Sequence, residues 1–86
     1  LKKEFIQLIN LQNLEENEII LKESNLDKNK LKELGLIKKI DSPVKLLGKG
    51  SLSKKLTIKV DMASKKAVQE IKKAGGEIIL TNTENI

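Results

Sequence analysis

The chain has 86 residues, a formal net charge of +5, seventeen lysines as its only basic side chains, and neither cysteine nor histidine. Length allows one small domain, which buries only about 60–65% of its extended surface. Absence of cysteine removes disulfides, zinc–thiolate sites and thiol nucleophiles, and absence of histidine removes the commonest general base and metal ligand.

Apolar residues are 38% of the chain and Phe5 is the one aromatic, so the core must be built from Leu, Ile, Val and Ala. No apolar run exceeds three residues, which excludes a membrane-spanning helix, and no basic-then-apolar start marks a signal peptide. The absence of cysteine fits an intracellular, non-redox protein, and a first residue of Leu1 in place of methionine points to a piece of a longer one. Lysine supplies point charges in place of arginine's planar fork, so anion binding here would be largely electrostatic.

Residues 5–11, FIQLINL, read as a strand with Ile6 and Leu8 on one face and Phe5, Ile9 and Leu11 on the other. Apolar residues on both faces imply burial on both sides. Residues 12–18 read as a polar connection, and residues 19–22 as a further short strand. Asp27 is a good helix N-cap, with Leu26 placed to staple onto Leu31. Gly35 supplies the left-handed residue that ends this helix, and Leu36 is set to touch Leu31 in a Schellman ending. Ser42-Pro43 breaks the chain.

The second half carries the charge. Residues 1–41 hold eight lysines and eight acids, whereas residues 42–86 hold nine lysines and four acids. Residues 44–47 form a short strand, and Leu56, Ile58 and Val60 alternate with Thr57 and Lys59 as a half-buried strand. A glycine- and serine-containing loop, 48–55, joins the two as a hairpin. Ser64 caps a helix with Ala67, Val68, Ile71 and Ala74 facing inward, Gly75 ends it, and residues 78–80 form the last strand. The tail, 82–86, is expected to fray. These elements give an α/β fold in a single domain, 1–86, with two short helices and four to five short strands.

LKELGLI (31–37) and IKKAGGEI (71–78) share one order, apolar–Lys–charged–apolar–Gly followed by an extended run. Their glycines, Gly35 and Gly75, lie forty residues apart. A strand–strand–helix unit used twice produces such an echo, although short helices often end in glycine.

Candidate chemistry is sparse. Gly48-Lys49-Gly50-Ser51 lacks the Walker spacing and leads into a strand, so no helix N-terminus follows it to hold a triphosphate. Ser53 beside Lys54, and Ser64 beside Lys65, are explained by capping and solvation, because adjacent strand residues point to opposite faces. The carboxylates are scattered, so neither a paired acid/base site nor a hard-cation cage stands out. No enzyme activity, cofactor, metal or small-molecule substrate is expected.

The lysine-rich hairpin remains. Residues 44–66 contain seven lysines against one acid, Asp61, a local excess near +6. A solvated face is the plain alternative for such a run. Confinement to one hairpin and the next helix start, with glycine and serine interspersed, fits packing on phosphates better. Without aromatic residues for base stacking, recognition would rest on the shape and backbone of a folded nucleic acid.

Lys45-Leu46-Leu47-Gly48-x-Gly50-x-Leu52, then Leu56-x-Ile58, then Ala63-Ser64-x-x-Ala67-x-x-x-Ile71-x-x-x-Gly75 resembles the C-terminal signature of the bacterial-type large-subunit ribosomal protein family L-fifteen. Upstream, FIQLINL, the short helix and ELGLIKKI are similar to that family's globular domain, so the resemblance covers roughly residues 5–80. The family's N-terminal arm, rich in glycine and basic residues, is not in this chain. Ala63 is smaller than the aromatic often found there, a change that bears on local packing more than on binding.

The resemblance implies an irregular superhelix of strand–strand–helix turns. It also implies a structural role in the large subunit of the cytoplasmic ribosome, with large-subunit rRNA and neighbouring ribosomal proteins as partners and no membrane. Lys45, Lys49, Lys54, Lys55 and Lys59 would meet phosphates, helped by Gly48, Gly50, Ser51 and Ser53, with Lys65 and Lys66 following on the next helix. The alternative is a non-catalytic protein–protein adaptor with an acidic partner.

Overall fold

The computed structural model describes residues 6–22 and 24–81. Strand β1 (Gln7–Asn10) runs into helix α1 (Leu11–Glu15), followed by α2 (Glu18–Lys22), β2 (Asn25–Leu26) and α3 (Lys28–Glu33). The second half contains β3 (Val44–Leu47), β4 (Thr57–Val60), β5 (Met62–Ala63), α4 (Lys65–Lys73) and β6 (Glu77–Leu80).

The strands form two parallel three-stranded sheets, ordered β1-β3-β5 and β2-β4-β6. Successive strands therefore alternate between the sheets, and the chain winds from one to the other in an irregular superhelix. The register places Leu8, Lys45 and Met62 side by side in the first sheet, and Ile58 beside Ile78 and Leu26 in the second. Ile9, Val44 and Leu46 from the first sheet meet Leu26, Ile58 and Val60 from the second in one core, closed by Leu11, Leu14, Ile20, Leu31, Ala67 and Ile71 from the helices. Among the described residues no polar or charged side chain is buried.

This topology corrects the expected hairpin. Both edges of β3 are taken, by β1 and β5, and both edges of β4 by β2 and β6, so β3 and β4 have no edge left for each other. Leu52 and Leu56, both buried, anchor the connecting loop across the core.

The first half also differs from its sequence reading. The strand is shorter than 5–11: it starts at Gln7 and gives way to helix at Leu11, while Phe5 lies outside the described residues. It is buried on one face only, with Ile9 at 1% exposure and Leu8 at 59%. Residues 12–18, read as a polar connection, contribute most of α1. Its N-terminus is secured by Asn13 Oδ1, which accepts the Asn10 N–H at 2.8 Å, and its buried residues are Leu11 and Leu14. Residues 19–22, read as a strand, are helical. Asn17 Oδ1 accepts the N–H groups of Ile19 and Ile20 at 3.0 and 3.2 Å, and this cap overrides the strand preference of two adjacent isoleucines.

The forty-residue echo is structural. Leu36 donates to Leu31 O and Gly35 to Lys32 O, and at the later helix Gly76 donates to Ile71 O and Gly75 to Lys72 O. Both are Schellman endings with glycine in the left-handed region, at φ 81° and 88°. Asp27 Oδ1 caps α3 through the Lys30 N–H at 2.9 Å, and Ser64 Oγ caps α4 through the Ala67 N–H at 3.2 Å. The expected tail, 82–86, lies outside the described residues.

Candidate nucleic-acid interface

Three chain segments meet at the carboxyl end of the first sheet. After β1 comes the start of α1, after β3 the Gly48–Gly50 loop, and after β5 the Ser64 cap of α4. The Gln12 N–H donates to Lys49 O at 3.0 Å, which ties the loop to α1. A β-carbon at Gly48 would sit 2.7 Å from Lys66 Cβ, and one at Gly50 would sit 2.6 Å from Gln12 Cβ. Gly50 also has φ 98°. Glycine is required at both places by close approach, and at Gly50 by backbone conformation as well. The Lys66 stem is thereby laid against the loop, and the exposed Lys49 and Lys65 stand at the same end of the domain.

The electrostatics of this corner run against helix stability. Lys65 and Lys66 occupy the first turn of α4, which contains no acid. A helix N-terminus carries a partial positive charge and disfavours cations by about 0.3–1 kcal/mol each. Two lysines at that end, beside a glycine loop, concentrate positive potential where first-turn N–H groups already favour an anion.

The other lysines named from sequence are dispersed. Lys45 lies on the outer face of the first sheet between Leu8 and Met62. Lys59 lies on the outer face of the second sheet beside Ile79. These two faces point in opposite directions, away from the shared core, so Lys45 and Lys59 cannot join one flat patch. A β-carbon at Gly75 would lie 3.9 Å from Lys55 Cγ and Cδ, which puts Lys55 at the C-terminal end of α4, about 13 Å of helix from Lys66. Lys54 is half-buried within the loop, and Ser51 is exposed there.

Ser53 is committed elsewhere. Its N–H and hydroxyl donate to the two carboxylate oxygens of Glu15 at 2.9 and 2.7 Å. These hydrogen bonds, the backbone one first, hold the Glu15 carboxyl below its ordinary value. Sequence reasoning missed Gln12 and Glu15 as loop supports. Their only legible signal was a run of helix formers, Leu11 to Glu15, hidden under a polar composition.

A second basic feature lies at the opposite end of β1. Gln7 Oε1 accepts the N–H groups of Lys38 and Lys39 at 2.7 and 3.0 Å, and Gln7 Nε2 donates to Lys39 O at 2.7 Å. This clamp orders a turn on which both lysine side chains are exposed.

Residues 5–79 match the family described as ribosomal proteins 50S-L15, 50S-L18e and their 60S counterpart. The large ribosomal subunit protein uL15 of Trichlorobacter lovleyi is 45% identical over 71 residues, covering 83% of this chain and 46% of that protein. The uL15 protein of Wolbachia pipientis wMel is 41% identical over 73 residues, 85% of this chain and 47% of its own length. That of Oenococcus oeni is 55% identical over 51 residues, 59% of this chain and 33% of its own. The chain spans about half the length of the curated relatives it matches.

Proposed function

The chain belongs to the ribosomal protein family that unites 50S-L15 and 50S-L18e with their 60S counterpart, and from that premise we propose that it is a structural, non-catalytic constituent of the large ribosomal subunit that binds rRNA phosphates at the α4 corner. The observation that carries this reading is the pair Lys65 and Lys66, set in the first turn of α4 against the Gly48–Gly50 loop and next to Lys49. Cations at that helix end cost stability locally, and a polyanion repays the cost by neutralising them.

Lys49, Lys65 and Lys66 are the primary contacts, with first-turn N–H groups as neutral donors to phosphate oxygens. Gly48 and Gly50 let the backbone lie close to the strand of RNA, and Ser51 adds an exposed hydroxyl. Lys54 and Lys55 extend the path along the loop toward the far end of α4. Lys45 and Lys59 serve other surfaces, and Ser53 positions the loop through Glu15. Phosphate contacts fix position and carry little sequence information. Neighbouring ribosomal proteins share the remaining surface, in the setting of the cytoplasmic ribosome.

The test is RNA affinity as a function of salt. Three lysine–phosphate contacts give log affinity against log salt a slope of about −2 to −3 for duplex RNA, similar for unrelated sequences. Changing Lys49, Lys65 and Lys66 to glutamine removes most of that slope, whereas changing Lys38 and Lys39 leaves the corner's contribution in place. Equal slopes for the parent and the corner variant refute the assignment.

A further inference from the structure

Parallel sheets are ordinarily covered on both faces, and among the described residues the first sheet is covered on one. Strand β1 continues an apolar pattern on both sides, yet the fold buries Ile9 and leaves Ile6 and Leu8 47% and 59% exposed. Leu8 pairs in register with Lys45 and Lys45 with Met62, and strand alternation adds Leu47 to the same side. Leu47 and Met62 are half-buried and stand outside the core, which takes up Ala63 on the opposite side. Leu8, Leu47 and Met62 thus surround Lys45 on an open apolar surface, about 10 Å across from β1 to β5.

Lys45 is the one charged residue on the outer side of these three strands, and no described acid meets its ammonium group. The acids around the face do not balance it. Asp61 precedes Met62 but is taken by the Val44 N–H, Lys28 and Thr81. Asp41 is exposed on the turn before β3, where Lys38 and Lys39 outnumber it. At the carboxyl end Glu15 is bound to Ser53, while Lys49, Lys65 and Lys66 stand exposed. The outer face of the second sheet differs, since Glu77 lies on the same side as Lys59 and offsets it.

We propose that the outer face of the first sheet docks a partner protein whose apolar side chains cover Leu8, Leu47 and Met62 around a carboxylate that pairs with Lys45. An exposed apolar patch of this kind marks an interaction surface. Taking water from an unpaired lysine is costly, so whatever covers the face must bring an anion to its centre. An RNA phosphate supplies the charge but leaves the apolar ring against a hydrated backbone, and no described residue is aromatic to stack a base. A second copy of the chain would set Lys45 against Lys45 across a two-fold axis, with a net +5 charge on each side. The site is separate from the α4 corner and stands whether or not that corner binds RNA.

The experiment is titration of the methyl-labelled chain, followed by NMR, with a stapled helical peptide that presents four leucines around one glutamate on a single face. The methyl signals of Leu8, Leu47 and Met62 shift on titration, while those of the buried Ile58 and Ile71 hold. Replacing the peptide's glutamate with lysine weakens binding at least tenfold. Lys45→Glu reverses that preference, so the lysine peptide becomes the tighter ligand, whereas Lys59→Glu on the other sheet leaves the glutamate peptide's affinity unchanged. Leu8→Ala, with a melt close to the parent's, weakens both pairings at least threefold, which shows that the apolar ring contributes beside the charge. Any of three results overturns the inference: no shift at Leu8 and Met62, a Lys45→Glu chain that does not reverse the preference, or the same methyl shifts produced by duplex RNA or by raising the chain's own concentration without peptide.

Discussion

Asp61 Oδ2 accepts the backbone N–H of Val44 at 2.8 Å, joining the turn after β4 to the first residue of β3. The same carboxylate takes Lys28 Nζ at 2.9 Å and Thr81 Oγ1 at 3.1 Å. One side chain thus links the start of α3, the first sheet and the end of β6. The lone acid of the lysine-rich stretch is a structural clasp, and it withdraws itself from the local charge by pairing with a lysine from the other half of the chain. Replacing Asp61 with alanine strands a part-buried N–H and costs about 1–3 kcal/mol. For a domain of this size each kcal/mol lowers Tm by roughly 4–8 °C. Lys28→Ala should cost only about 0–1 kcal/mol, since its partner keeps two other donors. Equal melts for the two variants contradict this ranking.

Acid should loosen the clasp. Burial pushes the Asp61 carboxyl up, but hydrogen bonds from Lys28, Val44 and Thr81, with the Lys28 charge, outweigh it and leave the group below its ordinary value. A depressed folded-state value means that stability is present above the unfolded carboxylate range, about 4, and is lost as pH falls through the folded value. Urea midpoints should be flat from about pH 7 to 5 and fall below about 4. The gap between the parent and Asp61→Asn should narrow over the same acid range; parallel curves assign the acid loss to other carboxylates.

Two helix-ending glycine sites should respond differently to alanine. A β-carbon at Gly76 would run into the backbone oxygen of Leu56, and that oxygen also accepts the Glu77 N–H. The obstacle is main chain, so β4 and β6 must separate; Gly76→Ala should cost about 3 kcal/mol or more. Gly35 has open space around it and only its φ of 81° to oppose a side chain, which costs about 1–2 kcal/mol. Denaturant midpoints for the pair decide the matter.

Core and outer faces can be separated by truncation. Ile71 is fully buried between α4 and both sheets, so Ile71→Ala should cost about 2–4 kcal/mol. Leu8 stands on the open face of β1, and Leu8→Ala should lie within about 0.5 kcal/mol of the parent. A large loss at Leu8 would mean that the outer face of β1 is covered.

Glu15→Gln offers a variant in which stability and binding part company. It weakens two charge-assisted hydrogen bonds to Ser53, on an exposed side of the loop, and should lower stability by about 1 kcal/mol. It also removes a negative charge from the basic loop, so RNA affinity at low salt should hold or rise. A fall in affinity as large as that of the corner variant would assign the loop's order, and not its charge, to binding.

The local signals were legible because each is decided within a few residues. Asp27 and Ser64 cap their helices, Gly35 and Gly75 end them with identical hydrogen bonds, and Leu56, Ile58 and Val60 alternate as their polarity requires. The family resemblance, a spaced pattern across residues 45–75, supplied the superhelix that no single element implies. Helices α1 and α2 were hidden because their caps come from asparagines, Asn13 and Asn17, inside a polar run whose composition reads as loop.

Partnership between strands was beyond the sequence. Two short strands joined by a glycine loop satisfy the hairpin pattern equally well whether they pair or not. Only the fold reveals that β1 and β5 occupy both edges of β3 while β2 and β6 occupy those of β4. That choice turned the side chains of Lys45 and Lys59 to opposite faces, moved Lys55 to the far end of α4, and gave Ser53 to Glu15. Charge content is a property of sequence, and it puts the excess in residues 42–86. Charge geometry depends on which strand neighbours which, because hydrogen bonds between residues distant in sequence decide the direction of every side chain between them.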